Sequence, residues 1–370
     1  MKRVLVTGAA GFIGKNLTVH LNEHEQLLAL AFSRFNTGEE LQELVYKSDV
    51  IVHLAGENRP QDDSAFELVN TGLTQLLCDA IRSSGRKIPL MLASSTQADQ
   101  DSLYGKSKLG AEKAVEELAS QTNNPIYIYR LPNVFGKWCR PNYNSVVATF
   151  CHNIVHELPI QVNDPDLLLR LVYVDDVVAD FLRVIKKTSH ERVSRPIIKP
   201  EYSISLGEIA EQIKAFRGCR SSLISELVGE GLLRALYATY ISYLIPEQFS
   251  YSLNQNVDER GVFVEMLKTK NSGQFSYFTA HPGVTRGGHY HHSKSEKFLV
   301  IMGEARFGFR NIFTDESCEL FTSGHQPRIV DTIPGWSHDI TNVGKEEMVV
   351  MLWANEIFDP NNPDTIAYKV

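Results

Sequence analysis

Two sets of residues in this chain have the types and spacing for chemistry. In YGKSK, Tyr104 and Lys108 stand at i and i+4, which puts a phenol and an ammonium on one face of a helix. A neighbouring ammonium stabilises the phenolate and lowers a tyrosine pKa from its reference of about 10, so the pair can move a proton near neutral pH. The same ammonium can bond a nicotinamide ribose. Far downstream, GVTRGGHYHHSKSEKFLVIMG holds His289 and His291 two apart on an expected strand, where both project to one face, and Glu296 and His338 can complete a set of three imidazoles and one carboxylate. Such ligands without thiolates suit zinc, iron, nickel or manganese; zinc is the first expectation, on availability and mild chemistry. His292 falls on the other strand face and is expected at the surface, and Asn342 is expected in a turn.

A third set binds rather than reacts. TGAAGFIG places Gly8, Gly11 and Gly14 directly after a strand pattern and before a helical one. The turn needs Gly8, close approach of a pyrophosphate needs Gly11, and Gly14 lets helix and strand pack. At the end of the second expected strand, AFSRFN supplies Ser33 and Arg34 where an NAD-selective site usually has an acid for the ribose 2′-hydroxyl. A guanidinium binds a 2′-phosphate bidentately, so NADPH is expected over NADH.

The elements that must position these groups follow two rhythms. Up to about residue 185, KRVLVTG, LLALAFS, DVIVHLAG, IPLMLASS and IYIYRLP read as strands separated by helical patterns, which means βαβ units and a doubly wound parallel sheet. In SISLGEIAEQIKAF, Ser205 and Glu208 have capping-box spacing and start another helix, expected to close the first domain. After Pro246, the runs VFVEMLKT, QFSYFTAH, EKFLVIMGEARFGFR, CELFTSG and EMVVMLWAN are short and divided by Gly, Asn and Pro, the pattern of an all-β unit. At 370 residues the chain exceeds one comfortable core, and the expected domains are residues 1–245 and 246–370. A net charge of -7 argues against a nucleic-acid surface. Five scattered cysteines without a CxxC pair indicate neither a disulfide framework nor a thiolate zinc site, and fit a reducing cytoplasm. LLRALYATYISYLI is interrupted by Arg234 and tyrosines, so no membrane span is expected.

Over about the first 240 residues the chain resembles the extended short-chain dehydrogenase/reductase family that works on nucleotide sugars, through TGAAGFIG, HLAG (His53 to Gly56), VNTG with Asn70, SST, YGKSK, RLPNVFG and VYVDDVV. That resemblance implies a Rossmann-like domain with Ser95, Tyr104 and Lys108 as the catalytic trio, Ser94 or Thr96 being alternatives for the hydroxyl. It also implies a cofactor set of Gly8, Gly11, Phe12, Ile13, Gly14, Ser33, Arg34, His53 and Ala55, together with Tyr104 and Lys108. The gap from Ser95 to Tyr104 is shorter than the family's, and Thr96 and Gln97 replace the acidic pair of its 4,6-dehydratases, which disfavours simple dehydration.

The second part resembles the cupins: Gly283, His289, His291, Glu296 and Gly303 match their first motif, and Pro334, Gly335, His338 and Asn342 their second, except that Pro334 directly precedes Gly335. A jelly-roll holding one divalent metal is implied. The two-part layout resembles the bifunctional capsular-polysaccharide enzymes of the CapF type. This implies C3 epimerisation of a UDP-linked 2-acetamido-2,6-dideoxy-hexos-4-ulose in the cupin, followed by NADPH reduction at C4 to UDP-2-acetamido-2,6-dideoxy-L-talose, in a homodimer. The alternative is a nucleotide-sugar 4-epimerase or dehydratase with a structural, dimerising cupin.

Overall fold

The computed structural model describes residues 1–187, 191–253, 256–258, 261–263, 267–269, 273–356 and 361–370. Two compact units divide it: Met1–Ser145 with Leu168–Ile204, and Val146–Leu167 with Ser205–Val370.

In the first unit the chain runs β1 (Lys2–Thr7), α1 (Phe12–Asn22), β2 (Leu27–Phe32), α2 (Gly38–Lys47), β3 (Val50–His53), α3 (Leu73–Ser83), β4 (Leu90–Ser95), α4 (Leu103–Thr122) and β5 (Ile126–Leu131). All five expected strands form. The sheet order is β2-β1-β3-β4-β5 with a short strand, Val193–Ser194, at the far edge, and every pairing is parallel. Its strands are apolar on both faces because helices cover both. Alternate residues of β1 divide accordingly: Val4 and Val6 pack with Leu17, Leu21 and Phe181, and Leu5 with Leu41, Val45, Leu77 and Val115. The chain leaves β1 for β2 on one side and returns to β3 on the other, so the crevice at the carboxyl ends of β1 and β3 is the switch point where this architecture binds ligands.

Helix α5 (Val146–Val155) groups with the second unit, and α6 (Val174–Lys186) covers the first unit's sheet. The capping box at Ser205 is present and opens α7 (Leu206–Ser222), which is followed by α8 (Gly231–Ile241). The expected single boundary at residue 245 is not where the compact units part. Helix α7 does not close the first domain; Phe216 of α7 packs on Tyr237 and Tyr240 of α8, with ring centroids 5.1 and 5.9 Å apart, and Arg220 donates to Gln248 O and Asp331 Oδ2. These contacts hold the helices to the β-rich part.

That part contains two five-stranded antiparallel sheets. One is built from Ser250–Ser252, Arg328–Asp331, Glu296–Met302, Met348–Ala354 and Gln274–Ala280; the other from Ser317–Ser323, Glu304–Asn311, Trp336–Asn342, Thr285–Tyr290 and Ile366–Ala367. Phe298 of the first meets Phe307 of the second at 5.7 Å between centroids, which marks the apolar layer between sheets. The expected strand VFVEMLKT, residues 262–269, falls on two short strands, Gly261–Phe263 and Lys268–Thr269, and residues 264–266 lie outside the described residues. None of the five cysteines forms a disulfide. Among the described residues no helix is long and apolar enough to cross a membrane.

Candidate active site and metal centre

Gly8 adopts φ +69°, and a Cβ there would lie 2.7 Å from Ala55 N; a Cβ on Gly14 would lie 2.2 Å from Gly8 O. These two positions admit only glycine, and they let the β1–α1 turn close tightly with the Gly11 N–H donating to Gly8 O at 2.8 Å. Gly11 caps α1 with no side-chain hydrogen bond, and Phe12 and Ile13 follow as the first helical residues. A helix start uncapped by any side chain, next to a turn that excludes a Cβ, fits a pyrophosphate.

Ser33 and Arg34 lie just past β2. The Ser33 N–H donates to Asn36 Oδ1 at 2.8 Å, and the exposed Arg34 guanidinium lies 6.0 Å from the Phe35 ring centroid. His53 is buried at the end of β3, with Nδ1 2.6 Å from Thr7 Oγ1 and Nε2 2.9 Å from Thr74 Oγ1. Both nitrogens are thus engaged by hydroxyls, and burial, helped by Lys108, pushes its pKa down to about 3, so the ring is a neutral strut beneath the glycine loop. Thr7 Oγ1 also accepts from the N–H of Ala55, at 3.3 Å.

The expected trio converges. Ser95 ends β4 with its hydroxyl near enough to the Tyr104 phenol to lower its pKa; Ser94 is committed elsewhere, donating to buried Glu112. Among the three hydroxyls considered, Ser95 therefore has the placement for the catalytic role. The short gap between Ser95 and Tyr104 is taken up by a single 3₁₀ turn, Thr96–Asp99, and by Ser102 as N-cap of α4. Gly105 makes this compact path fit, since a Cβ on it would meet Gln100 O at 2.4 Å. Lys108 is 8 % exposed and donates from Nζ to Ala93 O at 2.6 Å. The expected lowering of the Tyr104 pKa is not found: burial raises it, and the Ser95 hydroxyl offsets part of that rise. Lys108 spends its short contact on the Ala93 carbonyl, and its own pKa falls to about 8 by burial, against the pull of Glu112.

In the second unit, the ligand atoms of His289, His291, Glu296 and His338 all lie within 4.8 Å of one another. His289 and His338 face each other across paired strands, and Glu296 comes from the opposing sheet. His291 Nε2 is 3.1 Å from Glu296 Oε2. His338 Nε2 is 3.5 Å from the same oxygen, and neither nitrogen of this buried ring makes a hydrogen bond of ordinary geometry among the described residues. A buried imidazole left so, beside two more and a carboxylate, fits a divalent metal. Burial and the neighbouring imidazoles of His338 and His291 lower the His289 pKa to about 3, which keeps it in the neutral, ligating form.

The route by which the histidines meet differs from simple strand alternation. The strand ends at Tyr290 after a bulge between Gly287 and His289, so His291 and His292 lie in the following turn. This is why His292 is buried rather than on the surface, with its ring 5.4 Å from that of Tyr290. Asn342, expected in a turn, is the last residue of the strand Trp336–Asn342 and is structural: it donates to Ala280 O and Glu346 O and accepts from Gly344 N.

Residues outside the expected set support both centres. Asp364 accepts from the N–H groups of His292, Ser293 and Lys294 at 2.8, 2.7 and 2.7 Å, and its carbonyl oxygen bonds His291 Nδ1. Lys294 places Nζ 3.3 Å from Glu296 Oε1. Buried Glu112 pairs with half-buried Arg130 at 2.7 Å. Nothing in local periodicity marks Asp364, which is 72 residues from His292.

Residues 4–197 match the NAD dependent epimerase/dehydratase family, and residues 256–366 match the polysaccharide biosynthesis C-terminal domain. The UDP-2-acetamido-2,6-beta-L-arabino-hexul-4-ose reductase of Pseudomonas aeruginosa is 55 % identical over 100 % of this chain and 99 % of its own. Among solved structures, the capsular polysaccharide assembling protein CapF from Staphylococcus aureus is 42 % identical with a TM-score of 0.68, covering 99 % of this chain and 100 % of that one. UDP-glucuronic acid 4-epimerase from Bacillus cereus, in complex with NAD, is 19 % identical with a TM-score of 0.53 over 58 % of this chain and 84 % of that one, a likeness of fold alone.

Proposed function

Because the chain belongs to the NAD dependent epimerase/dehydratase family, we propose that it is a bifunctional nucleotide-sugar enzyme, acting on a UDP-linked 2-acetamido-2,6-dideoxy-hexos-4-ulose. The first unit reduces C4 with NADPH, and the metal-binding β-unit epimerises C3, giving UDP-2-acetamido-2,6-dideoxy-L-talose for surface-polysaccharide synthesis. The observation that carries this reading is the full-length likeness to a reductase of a UDP-linked 4-keto sugar, in a chain that keeps both a Ser–Tyr–Lys trio and a three-histidine, one-glutamate cluster. A homodimer and zinc as the metal belong to the same reading.

When bound, NADPH supplies the hydride and the divalent ion supplies Lewis acidity. Gly8, Gly11, Phe12, Ile13 and Gly14 hold the pyrophosphate, Ala55 lines the same turn, and Arg34 with Ser33 takes the 2′-phosphate. The Tyr104 phenol gives its proton to the C4 oxygen as hydride arrives. Raised by burial, that phenol is protonated at neutral pH, as a proton donor must be. Ser95, beside it, aligns the carbonyl, and Lys108 adds positive charge beside the developing oxyanion. In the β-unit, His289, His291, Glu296 and His338 hold the ion. The 4-keto group acidifies the adjacent C3–H, so removal and return of that proton on opposite faces inverts C3.

The test is incubation with the 4-keto UDP-sugar and NADPH in deuterated water. Deuterium at C3 and stoichiometric NADPH oxidation with a new hydrogen at C4 are expected. A product formed without net NADPH consumption would instead identify a 4-epimerase or dehydratase that recycles its nicotinamide.

A further inference from the structure

Glu296 presents its two carboxylate oxygens to different neighbours. Oε2 faces the histidines, 3.1 Å from His291 Nε2 and 3.5 Å from His338 Nε2. Oε1 instead meets the ammonium of Lys294, with Nζ at 3.3 Å, and each of these two side chains is only 9 % exposed. A buried ammonium needs partners, and among the described residues this one has the Glu296 carboxylate and the Thr365 hydroxyl, the latter at 3.2 Å. The geometry points to Lys294 as a positioning residue of the metal centre: it occupies Oε1, so that Glu296 offers the ion one oxygen, Oε2, and not two. The inference rests on the reading of the three-histidine, one-glutamate cluster as a metal centre.

The backbone on both sides fixes where this ammonium ends. The Lys294 N–H donates to Asp364 Oδ2 at 2.7 Å, the Ser295 N–H to Asn355 Oδ1 at 2.9 Å and the Glu296 N–H to Thr332 Oγ1 at 2.9 Å. Neighbouring cations are committed elsewhere. Lys297 Nζ lies 2.6 Å from Asp331 Oδ1, and the Arg234 guanidinium donates to Ser293 Oγ and pairs with Glu356 at 3.2 Å. Lys294 is therefore the cation that reaches Glu296 among the described residues. A carboxylate beside a divalent ion can bind through one oxygen or both. An ammonium on one oxygen favours the first mode, which makes three imidazoles and one carboxylate a four-coordinate set.

X-ray absorption at the zinc edge distinguishes the two modes, because binding through both oxygens adds a ligand and draws the carboxyl carbon nearer the ion. The full chain is loaded with zinc alone, and uptake is measured first by elemental analysis. The unaltered protein should show ligands at about 2.0 to 2.2 Å with the carboxyl carbon at its one-oxygen distance. Lys294→Met, which keeps the length and removes the charge, should gain roughly one oxygen in the shell and a shorter zinc–carbon distance. Lys294→Arg, which returns a cation to Oε1, should restore the unaltered spectrum. An unchanged spectrum in folded, zinc-loaded Lys294→Met would overturn the proposal, as would a loss of stability without any spectral change, which marks a purely structural lysine. Should Lys294→Met not fold, the unaltered protein decides: a carboxyl carbon already at its two-oxygen distance overturns the proposal. The failures separate cleanly. No zinc uptake by the unaltered protein would end the metal reading and this inference with it, whereas uptake with two-oxygen binding would end the role of Lys294 alone.

Discussion

Replacing Asp364 by alanine should weaken metal binding although Asp364 is not a ligand. Its carboxylate accepts four hydrogen bonds, from the backbone of His292, Ser293 and Lys294 and from Ser293 Oγ at 3.1 Å, and so holds the turn that carries His291. Burial raises this carboxyl, but His292, His291 and the backbone donors outweigh it and bring its pKa down from 3.8 to about 2. At about 1.36 kcal/mol per unit, that difference corresponds to at most roughly 2 kcal/mol of native-state stability. The share from the backbone donors is present above the unfolded pKa and is lost as pH falls through about 4 towards 2, whereas the share from His292 and His291 needs charged imidazoles. Outer partners of metal ligands typically contribute about 10- to 100-fold in affinity, or about 1.4 to 2.7 kcal/mol. Asp364→Ala should therefore raise the metal dissociation constant by that factor and lower metal-free stability by up to about 2 kcal/mol. The first is measured by competition with a chromophoric chelator, the second by urea denaturation at pH 7. An unchanged dissociation constant in the folded variant would refute the idea that the clamp positions His291.

Tyr104→Phe should abolish NADPH oxidation while C3 deuterium exchange continues, because only the proton donor for C4 is removed; parallel loss of both would contradict separate sites. Arg34→Ala should raise the NADPH concentration needed for half-maximal rate by roughly 10- to 100-fold, since charge-assisted hydrogen bonds contribute about 1.5 to 3 kcal/mol. Equal use of NADH and NADPH by the unaltered protein would remove the basis for that role. Asp331→Asn should cost about 3 to 5 kcal/mol in urea denaturation, because Lys297 Nζ at 2.6 Å and the Arg220 guanidinium at 2.8 Å both lose their carboxylate; a loss below about 1 kcal/mol would mean water serves these cations.

The parts of the molecule legible in the sequence are those where chemistry demands a local pattern. The glycine loop, the Tyr104–Lys108 pair and the capping box at Ser205 each involve residues a turn or so apart, and the structure has them as spaced. The cluster from His289 to His338 was legible because imidazoles are scarce, although His291 reaches it from a turn and not by strand alternation. The supporting groups were not. Glu112 reads as one more helix charge until Arg130, 18 residues on, is folded against it. Asp364 lies in a turn-forming NPDT with no periodicity to reveal that its carboxylate reaches back to His292. His292 was misplaced because alternation holds only within a strand, and this strand stops at Tyr290. The Tyr104 pKa went the other way because helix spacing says nothing about burial.

The division into units also sets an order in time. The ribosome makes Val146–Leu167 before it completes the unit that contains Met1–Ser145, yet that segment belongs with residues from Ser205 onward. The chain crosses from one unit to the other three times, so α5 must wait, on the order of ten seconds or more at ordinary elongation rates, for the last of its partners to emerge. No single cut in the gene yields both units whole: a break at residue 245 leaves α5, α7 and α8 on one fragment and the sheets that Arg220 ties to them on the other.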